Sequence, residues 1–346
     1  MPSSKNIFIV ASAGSRKTTL LVERALAIAK GRVLITTYTN ENVEQIVSYL
    51  VRENGCVPSN VTVMSWYRFL LQEGVRPYQN HISRRGRVHS ILFVPLPAMA
   101  QFARKNDVEN YFFTGGDNIY VDRTADFVCR CDEKSESLII KRLERVFAHI
   151  FIDEFQDFAG YDLDVVGKLL SSSISVVAAC DPRQATFSTN RSPRNRQFRG
   201  SAIADWIAKQ SKLGLLSIER QTECYRSNQI ICDFADALYP DYPKTLSRNE
   251  EVTGHDGVFS IPIGEVSDYV QKHNPIVLRY NVNAQTINLR AINIGLSKGR
   301  TYDRVLVFPT KSMIDYYKSK DISKAGDVAK LYVAVTRARY SVAFVI

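Results

Sequence analysis

The chain has 346 residues, 45% hydrophobic and 23% charged, proportions that exclude wholesale disorder and leave room for two or three domains. Lys and Arg number 45 against 35 Asp and Glu, and this net +10 favours a polyanionic partner and a salt-dependent encounter, or serves solubility alone. No apolar run reaches the ~18 residues of a membrane helix, and residues 7–10 before Ala11-Ser12-Ala13 are at the short limit for a secretion signal, so we expect a cytoplasmic protein with no membrane partner. Cys56, Cys129, Cys131, Cys180, Cys224 and Cys232 are scattered; Cys129-Arg130-Cys131 has no second pair or nearby histidines, and we read all of them as reduced thiols.

In chain order, residues 7–10 form a short strand-like run that ends in a small-residue loop, and apolar residues then recur at helical spacing over 20–30 until Gly31. Val33–Thr37 reads as a strand, 41–52 as a helix, 61–63 as a strand and 66–72 as a helix. Such alternation implies right-handed crossovers and a parallel sheet. The stretch 76–144 breaks the rhythm with Arg84-Arg85-Gly86-Arg87, Pro95-Leu96-Pro97 and Gly115-Gly116-Asp117, and reads as an inserted subdomain. Ile150-Phe151-Ile152 and 175–179 return to the sheet, and from 211 a second strand-and-helix series closes on 340–346. The expectation is an α/β protein: 1–75 and 145–210 form a first domain interrupted by the 76–144 insert, and 211–346 form a second.

The loop after the first strand runs Ala13-Gly14-Ser15-Arg16 and opens a helix at Lys17-Thr18-Thr19. This is the layout of a phosphate-binding loop, in which inward N–H groups and a helix N-terminus favour a triphosphate. Lys17 would reach the β- and γ-phosphates and the Thr18 hydroxyl would ligate Mg²⁺. Against the pattern G-x-x-x-x-G-K-[ST], Ala11 stands at the first glycine and Arg16 at the second, leaving Gly14 within the loop. Glycine lets backbone approach phosphate closely; Arg16 there either crowds the loop or adds a phosphate contact. Taken alone, the segment reads nearly as well as a loop and helix of no special function.

Asp153-Glu154-Phe155-Gln156-Asp157 is a sharper signal. Two adjacent carboxylates at the end of a buried strand lie where open α/β sheets bind ligands. One can hold Mg²⁺ and the other can orient an attacking water. An acidic helix start would look similar, but the upstream loop favours the catalytic reading.

In order along nearly the whole chain, these and further segments resemble the motifs of the UvrD/Rep-like, superfamily 1A DNA helicases. The loop through Lys17-Thr18 resembles motif I, LITTYTN (34–40) motif Ia, residues 61–71 a loose motif Ib, and DEFQD (153–157) motif II. VVAACDPRQATF (176–187) resembles motif III, Tyr225-Arg226-Ser227 motif IV, LSKGRTYDRV (296–305) motif V and YVAVTRAR (332–339) motif VI.

The resemblance implies two RecA-like P-loop domains with ATP and Mg²⁺ between them. It makes Asp153 a metal ligand with Thr18, Glu154 the catalytic base, Gln184 a γ-phosphate sensor and Tyr225 an adenine stacker. Arg226 and Arg337 become γ-phosphate contacts, planar cations of a kind worth about 10³–10⁵ in rate. It also implies a single-stranded DNA translocase or helicase with 3′→5′ polarity, acting on a single strand or a single/double-strand junction.

Departures from the pattern point to a second reading, a nucleotide-gated DNA-binding or partner-docking subunit with weak or no hydrolysis. Residues 1–6 hold no glutamine, Thr301 replaces the motif V glutamate, and Ser65-Trp66 stands where motif Ib has histidine-serine. The span from Ser227 to Asn293 suffices only to complete the second motor domain, so we expect a small 1B-like insert and no 2B domain. That compact layout is similar to the helicase-like subunits of anti-phage systems such as Gabija, which implies a nuclease partner protein.

For nucleic acid, Arg183, Arg191, Arg194, Arg196 and Arg199 form a cluster without acidic residues, a sequence-independent attraction for phosphates unless it is a disordered basic loop. Phe198-Arg199-Gly200 resembles the family's aromatic-arginine-glycine segment, whose aromatic stacks on a base, and 188–195 looks like an insertion into it. Tyr38, Asn40 and Trp66 are further candidates for the single-strand track. Arg84, Arg85 and Arg87 read as a solvated charge run or a duplex contact.

Overall fold

A computed structural model describes residues 5–346. Residues 1–4, part of the segment that lacks the glutamine, lie outside the described residues. The chain divides into two compact units: one holds the segment ending at Ile9, Lys17–Cys180 and Ser188–Glu219, and the other holds Val10–Arg16, Asp181–Phe187 and Arg220–Ile346.

The first unit is built on β1 (Ile7–Ala11), β2 (Val33–Thr37), β3 (Val61–Ser65), β6 (His149–Ile152), β7 (Ser175–Cys180) and β8 (Ser217–Gln221), with β4 (Ser90–Leu92) and β5 (Asn118–Tyr120) in the insert. The six-stranded sheet runs β3-β2-β6-β7-β1-β8. β2 pairs parallel with β3 and β6, and β6 with β7. Every residue of β2 is buried, as a parallel strand covered on both faces requires. The crossover helix Asn40–Asn54 begins where the Thr39 side chain accepts the Asn42 N–H and stops at Gly55 in the left-handed conformation.

The helix expected over 66–72 is α-helical only over Trp66–Phe69 and continues as a π-helix, Leu70–Val75. The wider turn lies where Gly74 meets the insert helix Val121–Lys134: a Cβ on Gly74 would fall 2.7 Å from Val128 Cγ2. Between β3 and β6 the chain leaves the sheet for this insert, in which β4 and β5 pair parallel.

In the second unit, β9 (Glu223–Cys224) pairs with β10 (Leu246–Ser247), and a five-stranded sheet runs β11-β15-β14-β12-β13. Its strands are Gly257–Ile261 (β11), Ile276–Arg279 (β12), Ile292–Asn293 (β13), Tyr302–Phe308 (β14) and Ala338–Val345 (β15), paired parallel throughout. Side-chain alternation along β14 makes both cores. Val305 and Val307 join Leu331, Tyr332 and Phe344 on one face, while Leu306 and Phe308 join Tyr269 and Val345 on the other. The fold is therefore mixed α/β with parallel sheets. Ser227 to Asn293 is used up in building this unit's own strands and helices. No helix among the described residues is long and apolar enough to cross a membrane.

Candidate nucleotide site and nucleic-acid surface

Lys17-Thr18 opens the helix after β1 and its loop, and Asp153-Glu154 follows directly on the parallel strand β6. The structure joins the two motifs directly: Thr18 Oγ1 donates to Asp153 Oδ2 at 2.6 Å. The Asp153 backbone N–H donates to Thr36 O at 2.9 Å, which anchors the residue at the carboxyl end of β6, an interior strand between β2 and β7. Burial, with the Glu154 charge added, raises the Asp153 carboxyl above its ordinary range, while the Thr18 bond and Lys17 act against the rise.

Glu154 is half-buried and takes the left-handed conformation, φ 55° and ψ 40°, before the short turn Phe155–Asp157. A non-glycine residue held there carries of order 1–3 kcal/mol of strain. Gln156 Nε2 donates to Glu154 Oε2.

A hydroxyl and a buried carboxylate are hard oxygen donors, and two protein ligands suit an ion that keeps waters and takes phosphate oxygens. Among the described residues no group of three or more His, Cys, Asp or Glu is arranged to hold a metal unaided. The two side chains therefore fit Mg²⁺ only as part of a larger set of oxygen ligands. Ser15 Oγ, buried in the loop without a hydrogen-bond partner, is consistent with a loop shaped for a ligand.

The loop Val10–Arg16 packs within the second unit. Ser12 Oγ lies 3.0 Å from Thr245 Oγ1, Ala13 is in that unit's core and its N–H faces Tyr332 Oη at 3.4 Å. Gly14 has φ +76°, and a Cβ there would fall 2.7 Å from Cys224 Sγ and 2.8 Å from Arg226 Cβ; this is the glycine the loop cannot replace. Arg16 also has positive φ, 60°, so an arginine holds the backbone conformation glycine would supply. Its guanidinium stands 4.2 Å from the centre of the Tyr225 ring. The Tyr225 hydroxyl donates to Glu223 Oε2 at 2.6 Å, and its N–H to Gly14 O at 2.9 Å.

The same unit carries a buried polar network that sequence reasoning saw only in part. Gln184 Nε2 donates to Asp181 Oδ2 at 2.8 Å, Tyr332 Oη donates to the same oxygen at 3.1 Å, and Arg183 Nε donates to Asp181 Oδ1 at 2.8 Å. Arg183 also pairs with Asp236, whose carboxylate accepts from Thr245 N and Thr245 Oγ1. Arg337 Nη2 donates to Gln184 Oε1 at 2.8 Å, and Arg226 Nη1 to Thr336 O at 2.9 Å. A chain of contacts thus runs from Ser12 through Thr245, Asp236, Arg183 and Asp181 to Gln184 and Arg337. The overlooked hub is Asp181; its signal was an acidic residue at the carboxyl end of a buried strand.

The nucleic-acid candidates separate. Trp66 is fully buried, packs on Phe69 and Phe158 and donates its indole N–H to Asp162 at 2.8 Å. It is a core residue with no face for a base, which corrects the sequence expectation. Arg183 is likewise corrected: buried between two carboxylates, it presents no charge to a strand. Arg194 is paired with Asp164 at 2.8 Å, and Arg199 donates to Ser192 O. Arg191 and Arg196 remain exposed, and Phe198 is half-buried with Lys209 Nζ 5.9 Å from its ring centre. Tyr38 is half-buried beside Tyr67, and Asn40 is exposed at the first turn of its helix.

No family model and no curated protein matches the sequence. Solved structures do. The helicase nonstructural protein 10 of an arterivirus superposes with a TM-score of 0.51 at 16% identity, over 99% of this chain and 59% of that one. The same arterivirus helicase in complex with DNA gives a TM-score of 0.51 at 15% identity, over 99% and 61%. This chain therefore spans about three fifths of the length of those helicases. At 15–16% identity the likeness is one of fold, which this chain shares with those helicases.

Proposed function

We propose that the chain is an ATP-driven translocase or helicase of UvrD/Rep-like type that moves 3′→5′ on single-stranded nucleic acid, DNA being the expected substrate. The observation that carries this reading is the Thr18–Asp153 hydrogen bond at 2.6 Å, because it brings a phosphate-loop hydroxyl and an acidic-motif carboxylate to one point. The order of the motifs along the chain and the DNA-bound helicase of similar fold support the substrate class.

In this reading Lys17 and the N–H groups of the loop neutralise the terminal phosphates. Thr18 and Asp153 would hold Mg²⁺, which supplies charge neutralisation on the phosphates. Glu154, held by the Gln156 amide, accepts the proton of the attacking water. Gln184 and Arg337, locked to each other, and Arg226 are the candidates for stabilising charge on the transferring phosphoryl group. Tyr225 supplies the aromatic face for the base. Phe198, Tyr38 and Asn40 are proposed contacts to the strand.

The test is nucleotide hydrolysis with and without short single-stranded DNA. Stimulated turnover that disappears in Lys17→Ala and in Glu154→Gln is expected; turnover unchanged in both variants rejects the reading. Unwinding of a 3′-tailed but not a 5′-tailed duplex is the expected polarity.

A further inference from the structure

A second concentration of cations lies within the first unit. The stretch around Pro95 and Leu96, the helices Val108–Phe112 and Val121–Lys134, Tyr161 and the turn 191–194 enclose a cavity of about 840 Å³. That volume falls in the range of small-molecule sites.

Arg123 is the group that needs explaining. It is nine-tenths buried. Its Nη1 donates to Tyr111 Oη at 2.6 Å and its guanidinium lies 3.9 Å from that ring's centre, yet Nε has no partner. Among the described residues no carboxylate pairs with it. The nearby acid Asp126 is engaged with Arg130 at 3.0 Å and with Tyr111 Oη at 2.9 Å. Burying a cation without a counter-charge is costly, and an anion in the cavity removes that cost.

The other lining charges point the same way. Lys105 and Arg191 line the cavity and are exposed; Lys105 Nζ donates to the Tyr161 hydroxyl at 2.6 Å. Arg194 is satisfied by Asp164. The one lining carboxylate, Asp122, accepts the Arg191 backbone N–H at 2.9 Å. Lys105, Arg123 and Arg191 against Asp122 leave a surplus that suits a phosphate, whose oxygens match a planar guanidinium. Pro95 and Leu96 add an apolar wall for a ring.

We propose that this cavity binds a nucleoside phosphate, either a free nucleotide or a nucleotide unit within a strand, with its phosphate on Arg123, Arg191 and Lys105. The proposal is independent of the Lys17 site.

The test uses the full chain carrying Lys17→Ala, so that loss at the Lys17 site and loss at the cavity are read separately. A fluorescent ADP analogue and a fluorescein-labelled oligothymidylate are titrated by anisotropy. The variants are the exposed pair Lys105→Ala/Arg191→Ala, Arg123→Gln, and a charge-matched control of exposed residues outside the cavity, Lys141→Ala/Arg145→Ala. Both cavity variants are expected to weaken one probe about tenfold, the loss of a charge-assisted contact, with the control unchanged. Loss of the ADP analogue identifies a free nucleotide as ligand; loss of the oligonucleotide alone identifies a strand. Unchanged binding of both probes in the exposed pair, or equal weakening by the control pair, overturns the proposal.

Discussion

Arg337 and Gln184, far apart in sequence, are hydrogen-bonded at 2.8 Å with both side chains buried, and the other end of the same amide is held by Asp181 at 2.8 Å. The glutamine is therefore oriented from both ends. Gln184→Ala removes an acceptor from a buried guanidinium and a donor from a buried carboxylate. We expect a loss of about 1–3 kcal/mol, read as a lower Tm, together with a fall in strand-stimulated hydrolysis. An unchanged Tm with unchanged turnover would contradict the coupling.

Stability should fall as pH rises from about 4 to about 6. Burial raises the Asp162 carboxyl to about 6, and burial with the Glu154 charge raises Asp153 in the same direction. Unfolded, such groups titrate near 3.9. Within that window the folded chain binds more protons than the unfolded one, so stability declines with pH, and the full penalty stands above it. Asp162→Asn lacks this charge while keeping a carbonyl for the Trp66 indole. Its Tm should exceed the parent's at pH 7.5 by a few degrees, with the gap closing toward pH 4; a gap that widens on acidification contradicts the assignment. Asp153→Asn should show the same sign and lose hydrolysis.

Arg16→Gly separates the two consequences of the arginine. Its positive φ costs of order 1–3 kcal/mol, while its cation–π contact with Tyr225 returns about 0.5–1 kcal/mol. Glycine should therefore leave stability unchanged or slightly raised. It also uncovers the Tyr225 ring, so KM for ATP should fall, whereas Tyr225→Ala should raise it. A higher KM in Arg16→Gly would mean that the guanidinium contacts the nucleotide.

Two aromatics expected on the strand track should behave oppositely. Trp66→Ala empties a packed core position and should cost about 3–5 kcal/mol, with oligonucleotide affinity retained by the folded fraction. Phe198→Ala should leave Tm in place and weaken single-strand binding by about 1–3 kcal/mol. Thermal melts paired with anisotropy titrations distinguish them.

The main lines of the fold were legible because their signals are local. The β-branched run Val33–Thr37 and the apolar residues before Asp153 each report a strand through neighbours only a few residues away, whereas the helix read over 20–30 up to Gly31 is Lys17–Leu26 and stops before that glycine. Lys17, Thr18, Asp153 and Glu154 were legible for the same reason: each follows a recognisable strand. Trp66 misled because a motif position says nothing about burial, and only its packing on Phe69 and Phe158 with the bond to Asp162 shows the ring turned inward. Arg183 misled similarly, since the sequence displays its charge but not the two carboxylates that neutralise it.

Composition, periodicity and motif order, all properties of short stretches of chain, were enough to determine an α/β protein with parallel sheets and to single out the loop before Lys17 and the adjacent carboxylates Asp153-Glu154. Tertiary structure alone decided that Thr18 reaches Asp153, that Arg16 lies over Tyr225, that Gln184 is clamped between Asp181 and Arg337, and that Arg123 is buried beside a cavity. Each of these depends on side chains brought together across long stretches of sequence, where distance and burial are set by packing and have no local trace.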